Sequence, residues 1–189
     1  TQAPVFAAAP ANVTVECIGD VPAMTSLGYT DNCDAAGSVM GTDGALAPDA
    51  CGGSITRTWT YTYACGNTAT TTQTITVDDT TLPTASNPAT TTVPGGPAPA
   101  VDVTVVTDEA DNCTASPVVA FVSESTDGAA CPETITRIYS VTDDCGNSIN
   151  VTHTILITDP FLPTASNPAG VTVECIGEVP AQDPLVVID

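Results

Sequence analysis

The chain has 189 residues, a formal net charge of −20, two arginines, no lysine and eight cysteines. Nucleic-acid binding and attachment to an anionic membrane surface need cationic side chains, and only Arg57 and Arg137 could supply them. The absence of lysine excludes a P-loop and a Schiff-base enzyme, and a hydrophobic content of 42% argues against disorder. The composition predicts an extracellular protein with no nucleic-acid partner and no direct insertion into a membrane.

The predicted elements are all strands. In chain order they are 12–16, 54–63, 68–77, 102–106, 118–123, 148–157 and 170–174. The longest ones alternate strictly: in 54–63, Ile55, Arg57 and Trp59 share one face and threonines fill most of the other. A Cys-Gly-Asn turn after this strand marks a hairpin, and no segment has a helical period. Many short strands separated by Gly, Pro and Asp turns predict an all-β chain of small Greek-key sandwiches of immunoglobulin type.

The sequence also repeats itself. TLPTASNPA at 81–89 returns 80 residues later as FLPTASNPA at 161–169, and VTVECIGDVPA at 13–23 returns as VTVECIGEVPA at 171–181. The two arginines occupy equivalent positions in this repeat. We therefore predict a tandem array of a first copy (residues 1–80), a second copy (residues 81–160) and the start of a third (residues 161–189). An array that stops within a copy, in a chain that begins at Thr1, favours a segment of a longer protein.

Several turn motifs suggest a family. Thr30–Cys33, Thr142–Asn147 and Val77–Pro83 resemble the signatures of hyalin-repeat (HYR-like) modules. The PTASNPA–VTVECIGDVP phrasing more narrowly resembles the tandem immunoglobulin-like repeats of giant Bacteroidetes cell-surface adhesins, of the SprB gliding-motility type. That resemblance implies export by type IX secretion and an extracellular location at the cell surface, attached to the outer membrane. It also makes Thr80, in an Asp-Thr-Thr sequence, a candidate O-glycosylation site.

The cysteines predict disulfides rather than a zinc site, because no C-x-x-C pair is present. Four cysteines in the first copy allow three connectivities. In an immunoglobulin-type sandwich, Cys65 in the F–G turn would lie beside Cys33 in the B–C loop. Cys17 and Cys51 would meet at the opposite end. The predicted pairs are Cys33–Cys65, Cys113–Cys145 and Cys17–Cys51, each contributing about 3 kcal/mol by restricting the unfolded chain.

The second copy departs from this pattern at one place. Val93-Pro94-Gly95-Gly96 stands where the other copies have Val-Glu-Cys-Ile, so one cysteine is missing. We therefore expect Cys131 to be unpaired, and Cys175 to need a partner outside the chain.

Acidic residues cluster near the copy ends and turns. In a tandem array the end of one copy abuts the B–C and F–G loops of the next, which could gather enough oxygens for Ca²⁺. The candidate ligands are Asp78, Asp79, Asp108, Glu109, Asp111, Asp143 and Asp144. Solvated acidic turns are the alternative, because Asp is an ordinary turn residue. Glycosidase catalysis is disfavoured, because aromatic residues are only 4% of the chain and each carboxylate recurs with the repeat.

The remaining candidates favour structural roles. His153 lies on the apolar face of its strand and is expected to be a buried or sheet-edge histidine. Trp59 and its counterpart Tyr139 are expected in the core. Arg57 and Arg137 are each expected to bind an acidic loop through a charge-assisted hydrogen bond.

The predicted function is therefore non-catalytic. The chain reads as a structural repeat segment of a long extracellular adhesin or filament that extends an adhesive tip for attachment or gliding. Its partners would be neighbouring repeats of the same chain and, through other regions, an extracellular surface or polysaccharide. Two alternatives stay open: spacer or carbohydrate-binding modules of a secreted multidomain enzyme, and a filament subunit that polymerises by strand addition.

Overall fold

The computed structural model of the chain describes residues 2–32, 35–64, 66–181 and 184–188. These residues are all-β, apart from single 3₁₀ turns at Ile18–Asp20, Val103–Val105 and Ile176–Glu178. No helix among them has the length and apolar character needed to span a bilayer. The strands are β1 (Val5–Phe6), β2 (Val13–Val15), β3 (Ser26–Thr30), β4 (Gly37–Met40), β5 (Thr42–Asp43), β6 (Cys51–Thr62), β7 (Thr68–Asp78), β8 (Thr91–Pro94), β9 (Val118–Thr126), β10 (Glu133–Thr142), β11 (Ser148–Thr158), β12 (Thr164–Ala165) and β13 (Val187–Ile188).

The first copy builds two sheets, with the strand orders β2-β7-β6-β5 and β1-β3-β4. β6 and β7 form the predicted antiparallel hairpin, in which Ile55 lies opposite Ile75, and β2 joins β7 in parallel. Ile55, Arg57 and Trp59 are buried along β6, and the threonines between them are exposed or half-buried. The two-residue alternation of the sequence therefore becomes the inner and outer faces of this sheet.

The second copy repeats the four-stranded sheet but not the three-stranded one. Its order is β8-β11-β10-β9, with β8 parallel to β11. Where the first copy pairs β1 with β3, the second has an isolated bridge between Thr84 and Ala110. The strand predicted at 102–106 is wrong, because the Asp102 carboxylate accepts a hydrogen bond from the Thr104 N–H and caps the 3₁₀ turn there.

Two of the other short predicted strands are confirmed and one is wrong. Residues 12–16 contain β2, and 118–123 lie within β9. Residues 170–174 are not a strand. Their counterparts β2 and β8 each pair with a long later strand of their own copy, whereas the described residues after 174 contain only the two-residue β13.

Both arginines are buried and fully engaged. Arg57 binds both carboxylate oxygens of Asp43, at 2.6 and 2.9 Å, and donates to two backbone carbonyl oxygens before β3. Arg137 binds Glu124 at 2.5 Å and donates to two equivalent carbonyls. The expected charge-assisted bonds are confirmed, although each acid lies on the neighbouring strand rather than in a loop. This arrangement compensates the buried charge and leaves neither cation free for another site.

The core aromatics are where the sequence predicts them. Trp59 and Tyr139 are both 0% exposed, and the Trp59 indole N–H donates to the Thr25 carbonyl oxygen at 2.9 Å. Around Tyr139, the buried cluster of the second copy adds Val106, Val141 and Val151. Large aromatic side chains such as these supply much of the apolar surface that is buried in a small core.

Candidate functional site at the junction of the two copies

Two disulfides join the first copy to the second. Cys17 is bonded to Cys113 and Cys51 to Cys145, with Cα–Cα distances of 5.2 and 5.1 Å. The predicted pairs Cys17–Cys51 and Cys113–Cys145 are therefore wrong. The sequence reasoning placed Cys17 and Cys51 together at one end of a copy, but it treated each copy as closed. Because the end of the first copy meets the loops of the second, the nearest sulfur lies across the junction.

The other cysteines fall into two groups. Cys131 and Cys175 are free and exposed. The missing cysteine at Gly95 predicted this for Cys131, and Cys175 was expected to need a partner outside the chain. The backbone N–H of Asp159 donates to the Cys131 sulfur at 3.1 Å. The predicted pair Cys33–Cys65 lies outside the described residues.

A small cavity lies between the two inter-copy disulfides. Its volume is about 100 Å³, and its walls include both disulfides together with Glu16, Asp79 and Thr114. The side-chain amide of Asn147 also crosses between the copies, because it donates to the backbone carbonyl oxygen of Asp79 at 3.0 Å and to the Asp143 carboxylate at 2.8 Å. The junction is thus held by polar contacts as well as by covalent bonds.

Three aspartates from separate parts of the chain meet at this junction. Asp79 follows β7, Asp111 precedes Cys113 in a loop, and Asp143 begins the turn between β10 and β11. Asp79 and Asp143 are only 5% and 6% exposed. One carboxylate oxygen of Asp79, one of Asp111 and the Cys113 sulfur lie within 4.8 Å of one another. The structure therefore brings together three of the seven predicted metal ligands.

The electrostatics of Asp79 reflect this crowding. Burial raises the pKa of the Asp79 carboxyl above its ordinary value, and the negative charges of Asp111, Asp143 and Glu16 raise the pKa further. A hydrogen bond from the Thr81 N–H acts in the opposite direction. The net effect is that the charged form of Asp79 is disfavoured in the folded protein.

Sequence reasoning missed Glu16 as a member of the site. Its carboxylate accepts hydrogen bonds from the Thr80 N–H at 2.8 Å and from the Thr80 and Thr81 hydroxyls at 3.2 to 3.4 Å, and the Thr80 N–H bond is the largest cause that lowers its pKa. Glu16 stands directly before Cys17, and its position in the repeated Val-Glu-Cys-Ile motif was the available signal. The Thr80 hydroxyl, the predicted glycosylation site, is exposed and bonded to Glu16. Glycosylation of Thr80 stays a prediction.

The four other predicted metal ligands have different positions. Asp108 is exposed and accepts a hydrogen bond from the Ser86 N–H at 2.9 Å, within the second copy. Asp144 is exposed at the cavity wall, and Asp78 ends β7 opposite Cys51. Glu109 is half-buried, and its Oε2 is buried without a hydrogen-bond partner.

His153 lies away from the junction. It is 3% exposed, and its Nε2 lies 2.9 Å from the Thr91 hydroxyl. Burial, and secondarily the charge of Arg137, lowers its pKa. The prediction of a buried histidine is confirmed.

The all-β fold and the disulfides fit an extracellular protein. Residues 5–77 match the family model described as the HYR-like domain with 4 cysteines. The matched segment contains Cys17, Cys33, Cys51 and Cys65, and the match supports the HYR-like family for the first copy. Domains of this family are typically extracellular and of a repeat or adhesion type. A comparison with curated proteins finds no match.

Proposed function

We propose that the two copies are immunoglobulin-like units of a tandem array and form a stiff, non-catalytic section of an extracellular adhesin stalk. The observation that carries this proposal is the pair of disulfides, Cys17–Cys113 and Cys51–Cys145, that cross from one copy to the next. A disulfide within a copy stabilises that copy alone, whereas one that crosses the junction also constrains the angle between copies.

The number of crossing bonds matters for stiffness. One covalent link leaves both bending and twisting free, whereas two separated links remove twisting and leave bending about a single axis. The Asn147 hydrogen bond to the Asp79 carbonyl lies at the same junction and opposes that bending. A stalk that holds an adhesive region away from a cell needs this resistance.

The disulfides also shorten the path along which tension is carried. A force applied at the two chain ends reaches Cys17 and passes directly to Cys113, so it bypasses the 96-residue segment between them. The β6–β7 hairpin and the first-copy core lie within that segment. Tension that breaks non-covalent contacts would therefore extend only the residues outside this segment.

Charge and aromatic placement agree with a structural role. The two arginines are buried in ion pairs, so the outer surface is dominated by carboxylates, which keeps neighbouring stalks apart. A carbohydrate-binding module would present an open aromatic face. Here Trp59 is buried, and the half-buried rings of Tyr29 and Tyr61 stack on each other with centroids 3.7 Å apart.

Single-molecule pulling tests the proposal on the whole chain. Complete unfolding of the oxidised protein should give a contour length about 330 Å shorter than that of the reduced protein, because 96 residues at about 3.4 Å each are bypassed. Cys131→Ser is the matched control and should behave like the oxidised wild type, since Cys131 is free. A difference of about 220 Å, the value for pairs within each copy, would contradict the proposal.

The cellular role needs a separate measurement. The resemblance to gliding adhesins motivates the proposal of outer-membrane attachment, type IX export and transport of an adhesive tip. The mass of the native polypeptide that carries this sequence separates the candidates: several hundred kilodaltons favours a continuous stalk. A native polypeptide of about the 19.0 kDa of this chain would instead favour a subunit that polymerises by strand addition.

A further inference from the structure

Two carboxylate oxygens at the junction are buried without hydrogen-bond partners. They are Oδ2 of Asp79, from the first copy, and Oδ1 of Asp111, from the second. Asp79 as a whole is only 5% exposed, and its ligand oxygen lies within 4.8 Å of one from Asp111. Burying a carboxylate oxygen without a hydrogen-bond donor costs free energy. This pair has no positively charged or protonated partner that would offset that cost.

The chain itself has no side chain that could supply the missing charge. It contains no lysine, and Arg57 and Arg137 are bonded to Asp43 and Glu124, far along their own sheets. His153 is bonded to Thr91. The junction carboxylates are thus uncompensated by any basic side chain of this protein.

We propose that Ca²⁺ binds between Asp79 and Asp111 and forms a third link across the junction. Ca²⁺ takes oxygen ligands at about 2.3–2.6 Å, so two ligands on opposite sides of the ion are separated by about 5 Å. The oxygens of Asp79 and Asp111 lie within 4.8 Å of each other, close enough for one ion to contact both. Glu109 Oε2, also buried without a partner, lies in the same loop and is a further candidate ligand.

The donor set selects against softer metals. Cys113 lies beside the two carboxylates, but its sulfur is bonded to Cys17 and is not a thiolate. Zinc and copper sites rely on thiolate or imidazole ligands, and neither is present in this cluster. Carboxylates from two chain segments, with water completing the shell, suit a hard and geometrically tolerant ion such as Ca²⁺.

The second oxygen of each aspartate is held by the backbone, which orients the free one. Asp79 Oδ1 accepts a hydrogen bond from the Thr81 N–H at 3.2 Å. Asp111 Oδ2 accepts from the N–H groups of Cys113 and Thr114, each at 2.8 Å. The Cys17–Cys113 disulfide then fixes the loop that carries Asp111 against the first copy, so little ordering remains to be done on binding.

Thermal unfolding of the oxidised 189-residue chain, in CaCl2 and in EDTA, tests the proposal. Free Ca²⁺ at about 100 times its Kd should raise the Tm by about 5 °C or more. Asp79→Asn and Asp111→Asn keep the side-chain shape and should lose this rise. Asp159→Asn is the matched control, because Asp159 is the counterpart of Asp79 in the second copy, is exposed, and should retain the full rise.

Each result of these measurements either supports or overturns the proposed site. No difference between CaCl2 and EDTA, or a rise retained in Asp79→Asn, would overturn the site. An equal rise with MgCl2 would overturn the assignment to Ca²⁺. Calorimetric titration with CaCl2 gives an independent readout, in which Asp79→Asn should lose the binding heat and Asp159→Asn should keep it. The inference uses the same junction as the proposed stalk, but the pulling experiment can be done in EDTA, so the two proposals fail separately.

Discussion

The two copies end in equivalent aspartates that have opposite environments. Asp79 and Asp159 each follow the last long strand of their copy, and each accepts a hydrogen bond from the N–H two residues later, at 3.2 and 2.9 Å. Asp79 is nevertheless buried, whereas Asp159 is exposed. Loops of the second copy lie against Asp79, with Asp111 and Asn147 as its neighbours. Local hydrogen bonding is therefore set by the motif, and burial is set by what lies against it.

The two ends also differ in the cysteines that they carry. The first end has Cys17 and Cys51, and both are bonded to the next copy. The second end keeps the counterpart of Cys51, the free Cys131, but has Gly95 in place of Cys17. Gly95 has a φ of 71°, in the region that favours glycine, so the backbone of this end is different. Because glycine has no sulfur, this end offers at most one crosslink. The two ends thus differ in how many crosslinks their cysteines allow.

Removing one crossing disulfide should give the largest effect at the first end. Cys17→Ser with Cys113→Ser should lower the free energy of unfolding by about 4 kcal/mol, because the bond closes a loop of 96 residues. The matching loss of Tm is about 10 °C, measurable by differential scanning calorimetry. Cys131→Ser, at the second end, should leave the Tm unchanged. Equal melting of the two variants would show that the junction bond does not stabilise the fold.

Replacing Asp79 by asparagine should have a smaller effect on stability, and this effect should depend on pH. Because the pKa of Asp79 is raised, the folded state binds its proton more tightly than the unfolded state, and this stability is lost as the pH rises above the ordinary value of 3.8. In EDTA, Asp79→Asn should therefore become more stable relative to wild type as the pH rises toward 7. Denaturant unfolding across this range checks the trend, and a difference between Asp79→Asn and wild type that stays constant with pH would contradict it.

The smallest expected effect concerns the four-stranded sheets of the two copies rather than the ends of the copies. His153 occupies the position that Gln73 has in the first copy, opposite the buried arginine. Burial lowers the pKa of His153, so the unfolded state binds a proton more readily and stability is lost as the pH falls below about 6.5. His153→Gln should flatten the stability profile between about pH 7 and 5. A profile as steep as that of wild type would show that His153 does not cause the acid sensitivity.

Much of the fold could be predicted because it depends on local pattern. The alternation of Ile55, Arg57 and Trp59 predicted a strand with one buried face, and β6 has that face. The failure at 102–106 is also local: valines favour a strand, but the Asp102 carboxylate captures the Thr104 N–H and turns the chain. The acid partners of the arginines could not be located, because Asp43 and Glu124 lie on neighbouring strands whose register the sequence does not show.

The sequence by itself determined the repeat, the β period and the grouping of cysteines and carboxylates at copy ends. Only the tertiary structure decided which copy each bond reaches. In the repeat, Cys33 and Cys113 occupy the same position and both follow Asp-Asn, so this local motif does not distinguish one of them as the partner of Cys17. Covalent pairing and ion binding depend on distance, and distance across the junction is set by the way the copies stack.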